Sequence, residues 1–355
     1  MTKRIKVLVV EDSLTAQKIL VKILSADSEI EVVAVASSGE EALQQLQHIS
    51  PDLITMDIHM PGMDGLEVTR KIMETKPVPI VVVSASCLVE DIERAFQLIE
   101  AGALTAIAKP IAIGSGDFEA TAWRLVQTVK DMAAVKVIKR WPKKVKLNEK
   151  EKGKQQDQAG EIADNPIPEI KPYNVIAIGA STGGPQAIET ILKNLPSDYP
   201  ASILMVQHIA PGFLGGMVEW LDKILALHVK VAHDGEQLKP GTVYLCPEGK
   251  HMGLDKESKI ALSSAEPLGG HRPAVAFLFQ ALAQNYSDCL AILLTGMGKD
   301  GAAELLELKR RGATTIAQDK ESSVIHGMPG AAIALGAHCH ILNLESIASL
   351  LLSRK

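Results

Sequence analysis

From Lys3 onward, short aliphatic runs alternate with stretches whose apolar residues recur every three or four positions. IKVLVV, EVVAVAS, PDLITMD, PIVVVSA and TAIAKP read as strands, crowded with β-branched residues and bounded by turn formers. SLTAQKILVKILS, between the first two, has helical spacing. Strands that are aliphatic on both faces need helices on both sides. The rhythm therefore predicts a doubly wound α/β domain with five parallel strands, flavodoxin-like in layout.

The rhythm stops at VKVIKRWPKKVKLNEKEKGKQQDQAGEIADNPIPEIKP, which is basic in its first part, mildly acidic in its second, and without an apolar period. Such a segment reads as a flexible, solvated linker. It divides the chain into residues 1–134, a linker over 135–172, and a second domain over 173–355. In the second domain NVIAIGAS, SILMVQHI, VKVAH, TVYLCP, CLAILLTG, TTIAQD and HCHIL restore the alternation. The expected fold is again α/β, a mainly parallel Rossmann-like sheet. Around GTVYLCPEGKHMGLDKESKIALSS the short strand pairs read as hairpins added to it.

Composition narrows the picture. The chain has 355 residues, 46% of them apolar, enough for two cores. Only 3% are aromatic, so those cores are aliphatic. A net charge of −5 gives no basic excess of the kind nucleic-acid partners require. Cys87, Cys246, Cys289 and Cys339 lack pairing or ligand spacing and read as reduced intracellular thiols. The N-terminus lacks a signal-peptide core, and no apolar stretch reaches membrane length. The expectation is a cytoplasmic, non-membrane protein.

In a parallel sheet, ligands bind beyond the carboxyl ends of the strands. In the first domain those ends carry Glu11 and Asp12, then Asp57, Ser84 and Lys109. Carboxylates gathered on one rim repel one another, and a hard cation such as Mg²⁺ relieves the repulsion. One carboxylate can then attack phosphorus while the cation and Lys109 neutralise the phosphoryl oxygens. VVEDS, PDLITMDIHMPGMDG, VVVSAS and AKP resemble the receiver domain of two-component response regulators. The resemblance implies Asp57 as acceptor of a phosphoryl group from a histidine kinase. It implies Glu11, Asp12, Asp57 and the His59 carbonyl as Mg²⁺ ligands, and Ser84 and Lys109 as sensors of the phosphoryl group. One position departs from the pattern: Ala106 stands where receivers carry Tyr or Phe, three residues before the lysine.

In the second domain, Gly179-Ala-Ser181-Thr-Gly183 fits G-x-S-x-G between a strand and a helix, the setting of a nucleophile elbow. A glycine-rich phosphate loop or a plain tight turn would also fit so short a motif. A nucleophilic serine needs a base and an orienting acid. SILMVQHIAPG puts His208 at the next strand end, and CLAILLTGMGKDG puts Asp300 in a turn after a later strand. His233 and His326 also lie near strand ends and stay in reserve, while His251 and His271 fall in loops. The order Ser…His…Asp is not that of α/β-hydrolases.

IGASTGGPQAI, VQHIAPGF, PEGKHM, HRPAVAFLF, LTGMGKDGA and TIAQDKESSVIHGMPGAAI resemble the catalytic domain of chemotaxis protein-glutamate methylesterases. That resemblance implies Ser181 as nucleophile, His208 as base, Asp300 as orienter, and oxyanion donors at Thr182 and Met297. It implies methylated chemoreceptors as substrates, with methanol released. Receptor glutamines would be deamidated by the same route. No cofactor is implied for this domain, and control would pass from Asp57 through a receiver packed over the catalytic crevice.

Overall fold

The computed structural model describes residues 4–84, 89–110, 116–135, 137, 168, 170, 171 and 173–354. The first unit runs β1 (Ile5–Val10), α1 (Leu14–Ser25), β2 (Ile30–Ala36), α2 (Gly39–Gln45), β3 (Leu53–Met56) and α3 (Gly65–Thr75). It continues through β4 (Ile80–Ser84), α4 (Val89–Ala101), β5 (Thr105–Ala108) and α5 (Gly116–Ala133). Its five strands pair in parallel in the order β2-β1-β3-β4-β5. The strand order reverses between β1 and β3, so a crevice opens there at their carboxyl ends. Local chemistry starts the helices. Ser13, Ser38 and Asp64 each accept a backbone N–H in the first turn of α1, α2 and α3.

The second unit begins with β6 (Val175–Ala180), α6 (Gly184–Leu192), β7 (Ser202–Gln207), α7 (Leu214–Ile224), β8 (His228–Val231) and β9 (Thr242–Leu245). A hairpin of β10 (His251–Leu254) and β11 (Ile260–Ser263) leads to α8 (Val275–Asn285). The chain ends with β12 (Cys289–Leu293), α9 (Ala302–Arg310), β13 (Thr314–Gln318), α10 (Met328–Ala334), β14 (His340–Leu342) and α11 (Leu344–Leu352). Seven strands form a sheet in the order β14-β13-β12-β6-β7-β9-β8, every neighbouring pair parallel. The chain winds outward both ways from β6, so the reversal lies between β6 and β12. The α/β, mainly parallel expectation matches this sheet. TVYLCP differs from the hairpin reading: it forms β9, inserted between β7 and β8, and only β10 and β11 make the added hairpin. Burial explains the choice, since every residue of β9 is buried while β11 is half open.

The linker lies almost wholly outside the described residues. At its margins, Val135 and Val137 pack against the core of the first unit and Ile170 against an apolar cluster that includes β6 and β7. The two units also meet directly. Phe96 of α4 stacks on Trp220 of α7, ring centroids 5.1 Å apart and planes within 10°. Ile92 fills the space beside Gly216, where a Cβ would lie 2.1 Å from the Ile92 Cγ2. Lys223 pairs with Glu93 at 2.7 Å, and Gln186 Nε2 donates to the carbonyls of Ile99 (3.2 Å) and Ala103 (2.8 Å).

Candidate active site and its control site

Ser181 follows β6 directly. Gly183 takes a φ of 77°, and a Cβ there would meet Val324 at 2.6 Å, so the turn into α6 requires glycine. Backbone contacts fix the corner: Ser181 N–H donates to the Thr295 carbonyl (3.0 Å), and Gly184 N–H donates to the Ser181 carbonyl (2.8 Å). Gln207 Nε2 bridges the carbonyls of Ser181 and His208, 2.8 Å from each, and so ties the corner after β6 to the corner after β7. Among the described residues, neither the Thr182 nor the Met297 main-chain N–H donates to another group. Both residues line the same cleft as Ser181 and His208. Free N–H groups beside a nucleophile are what an oxyanion needs.

His208 Nε2 lies 2.9 Å from Asp300 Oδ2. A proton on Nε2 would face that carboxylate and leave Nδ1 with the lone pair. Asp300 is held in turn by the first residues of α8, accepting from Val275 N–H (2.7 Å) and Ala276 N–H (2.9 Å). Burial alone would push the Asp300 carboxyl up, but His208 and these two N–H donors hold it below the usual carboxylate range. Of the reserve histidines, only His326 is near the serine, its backbone bridged to Gly296, which abuts Ser181. His233 is 73% exposed and pairs with Glu236, and the His326 ring contacts Ser323 within the β13–α10 loop.

In the first unit, Lys109 Nζ reaches Glu11 Oε2 at 2.7 Å and Asp57 Oδ2 at 3.1 Å, all three side chains buried. Burial pushes the Glu11 carboxyl up, with Asp57 adding to the shift and Lys109 opposing it. Glu11, Asp12 and Asp57 each offer an oxygen, and these oxygens lie within 4.8 Å of one another. Hard oxygen donors in a crowded, partly buried cluster suit Mg²⁺. Ser84 is buried at the end of β4, and its carbonyl accepts the Lys109 N–H. The His59 side chain turns away from the cluster and contacts Asp91 and Arg94 of α4.

One cleft of about 600 Å³ joins the two units. Ser181, His208 and Met297 line one wall, and Ala106 of β5 with Trp123 and Arg124 of α5 line the other. Where a receiver's aromatic would stand, Ala106 leaves room facing the serine's side of the molecule.

Residues 176–351 match the family model described as CheB methylesterase, and residues 7–115 match the response regulator receiver domain. A protein-glutamate methylesterase/protein-glutamine glutaminase of Nitrosospira multiformis is 46% identical over 98% of this chain and 96% of its own. The chain belongs to the CheB methylesterase family. Another relative with that description, from Syntrophus aciditrophicus, is 44% identical over 98% of this chain and 97% of its own. The solved catalytic domain of Thermotoga maritima CheB is 40% identical, covers 51% of this chain and 98% of its own, and superposes with a TM-score of 0.49. In this CheB-family chain, strand-end reasoning from sequence brings Ser181, His208 and Asp300 to adjacent strand ends, and Glu11, Asp12, Asp57 and Lys109 to one cluster. It missed His271, whose ring lies flat on His208. The two glycines before it in LGGH were the available signal, since paired glycines mark a tight two-residue turn that can aim a side chain. Among the described residues, no helix is long and apolar enough to cross a membrane.

Proposed function

We propose that the chain is a phosphorylation-activated serine hydrolase that demethylates glutamate methyl esters on chemoreceptors and deamidates receptor glutamines. What supports this is that Ser181 and His208 line one cleft at the ends of the neighbouring strands β6 and β7, with Asp300 2.9 Å from His208. Residues 1–134 act as the receiver, 135–172 as the linker, and 173–355 as the catalytic domain.

His208 Nδ1 takes the Ser181 hydroxyl proton as Oγ attacks the γ-carbonyl carbon. The carbonyl π pair moves to oxygen, and the Thr182 and Met297 N–H groups hold the resulting oxyanion. When the pair returns, the C–O bond to the methoxy group breaks, and His208 gives its proton to the leaving methanol. Water then attacks the acyl-serine with His208 again as base, and glutamate and free Ser181 are restored. A glutamine substrate follows the same steps with ammonia leaving. Asp300 keeps the proton on Nε2 and offsets the imidazolium charge.

For control, Asp57 accepts a phosphoryl group from a histidine kinase. Glu11, Asp12, Asp57 and the His59 carbonyl would hold Mg²⁺, which when bound neutralises phosphoryl oxygens. Lys109, already 3.1 Å from Asp57, and Ser84 then bind the new phosphoryl group. Unphosphorylated, α5 overhangs the cleft and hinders a receptor segment from reaching Ser181.

The test is methanol release from methylated receptor membranes, with and without acetyl phosphate and Mg²⁺. Release rises with the phosphodonor in the wild type, and Asp57→Asn stays at the basal rate. Phosphodonor labelling of Asp57 is lost in excess chelator and in Asp12→Ala. Labelling that persists under both conditions refutes the metal assignment. In the same assay His208→Gln is inactive, while His233→Gln and His326→Gln keep activity. A dead His233→Gln with an active His208→Gln reassigns the base.

A further inference from the structure

The rings of His208 and His271 are parallel to within 6°, with centroids 4.1 Å apart. His271 plays no part in the three-residue chemistry, yet the chain builds a rigid support for it. Leu268 and His271 exchange both backbone hydrogen bonds, at 3.1 and 3.0 Å, around Gly269 and Gly270. Both glycines take positive φ, 58° and 86°, which is the pattern of a two-residue primed turn.

A second histidine anchors that turn from beneath. His251 is fully buried and stacked on Phe277, centroids 4.6 Å apart. Its Nδ1 accepts the Ala274 N–H (3.3 Å), which leaves Nε2–H to donate to the Glu266 carbonyl (3.2 Å). One imidazole thus pins the segment on both sides of His271, between Glu266 and the start of α8. Arg272 adds bonds to the carbonyls of Ser264 (3.3 Å) and Ala265 (3.2 Å). α8 is also the helix whose first N–H groups hold Asp300. The base's carboxylate partner and its stacking partner are therefore referenced to the same helix start.

We propose that His271 is a positioning residue for ester hydrolysis, its ring lying flat on His208 to hold the base in register with Asp300 and to face the imidazolium that forms during attack. The proposal rests on the triad reading. A neutral aromatic face attracts a cation above it, whereas a second imidazolium would repel it. Its surroundings disfavour a second charge: partial desolvation, His208 and, from α5, Arg124 lower its affinity for a proton, and Asp300 opposes them.

Two substitutions separate the ring face from the ring nitrogens. His271→Phe keeps an aromatic face of similar size and loses both nitrogens. His271→Gln keeps hydrogen-bonding groups and loses the face. The full-length chain, phosphorylated with acetyl phosphate and Mg²⁺, is assayed for methanol release, for labelling of Ser181 by a fluorophosphonate, and for its melting temperature. His271→Gln lowers kcat and the labelling rate by roughly tenfold or more, with KM and melting temperature held. His271→Phe keeps more than half of both rates. Wild-type rates in His271→Gln, or equal losses in the two variants, overturn the proposal. Ser181→Ala is the control for the reading beneath it: labelling that survives there removes the nucleophile, whatever the two His271 variants do.

Discussion

Replacing Ser181 by alanine abolishes methanol release and leaves the protein folded. The contacts that shape this corner use only the backbone of residue 181: N–H to the Thr295 carbonyl, and the carbonyl to Gly184 N–H and to Gln207. Alanine keeps all of them and removes a single oxygen. The expected fall in kcat is on the order of 10⁴ or more, because without the hydroxyl no acyl-enzyme forms and only binding and oxyanion donors remain. Circular dichroism and melting temperature follow the wild type. A folded Ser181→Ala protein with near-normal turnover ends the serine-hydrolase reading.

The second large effect runs the other way. Gly216→Ala raises the activity of the unphosphorylated chain. Gly216 lies inside α7, where alanine is favoured over glycine by about 1 kcal/mol, so the catalytic unit does not suffer. The added methyl would meet Ile92 of α4 at 2.1 Å from Cγ2 and 2.6 Å from Cβ, too close for a side-chain turn alone to relieve. Overpacking of this kind costs about 1–3 kcal/mol, and here it falls only on the seated arrangement of the two units. A bias of that size moves the balance between covered and open cleft by roughly 5- to 150-fold. Basal methanol release therefore climbs at least several-fold, and acetyl phosphate adds correspondingly less. An unchanged basal rate with an unchanged phosphodonor response means that the α4–α7 seat does not hold the enzyme off.

Both domains were legible because their strands are aliphatic on two faces and stand apart in sequence. The residues at the strand ends were legible for the same reason, since a parallel sheet delivers its carboxyl ends to one rim. Ser181, His208 and Asp300 could be read together before any coordinates. TVYLCP misled because the polar turn PEGKH after it looks like a hairpin turn, and a four-residue apolar strand carries no periodicity to contradict that. His271 was hidden for a different reason. Its place depends on two backbone angles at Gly269 and Gly270 and on a buried imidazole twenty residues away in the chain. The contact between α4 and α7 was beyond pattern reading too, because Gly216 looks like a weak helix residue until Ile92 is seen to occupy the space beside it.

Gln186 gives the docking of the two units a particular character. Its side-chain amide holds the carbonyls of Ile99, in the last turn of α4, and of Ala103, just past its end; the Ile99 carbonyl takes the Gly102 N–H as well. These acceptors are peptide groups, present whatever side chains the helix carries. The side chains of this receiver face can therefore diverge in sequence while this part of the latch stays intact. The vulnerable partner is on the other side: Gln186 stands in the first turn of α6, five residues after Ser181, so the hand that grips the regulator belongs to the helix that launches from the nucleophile.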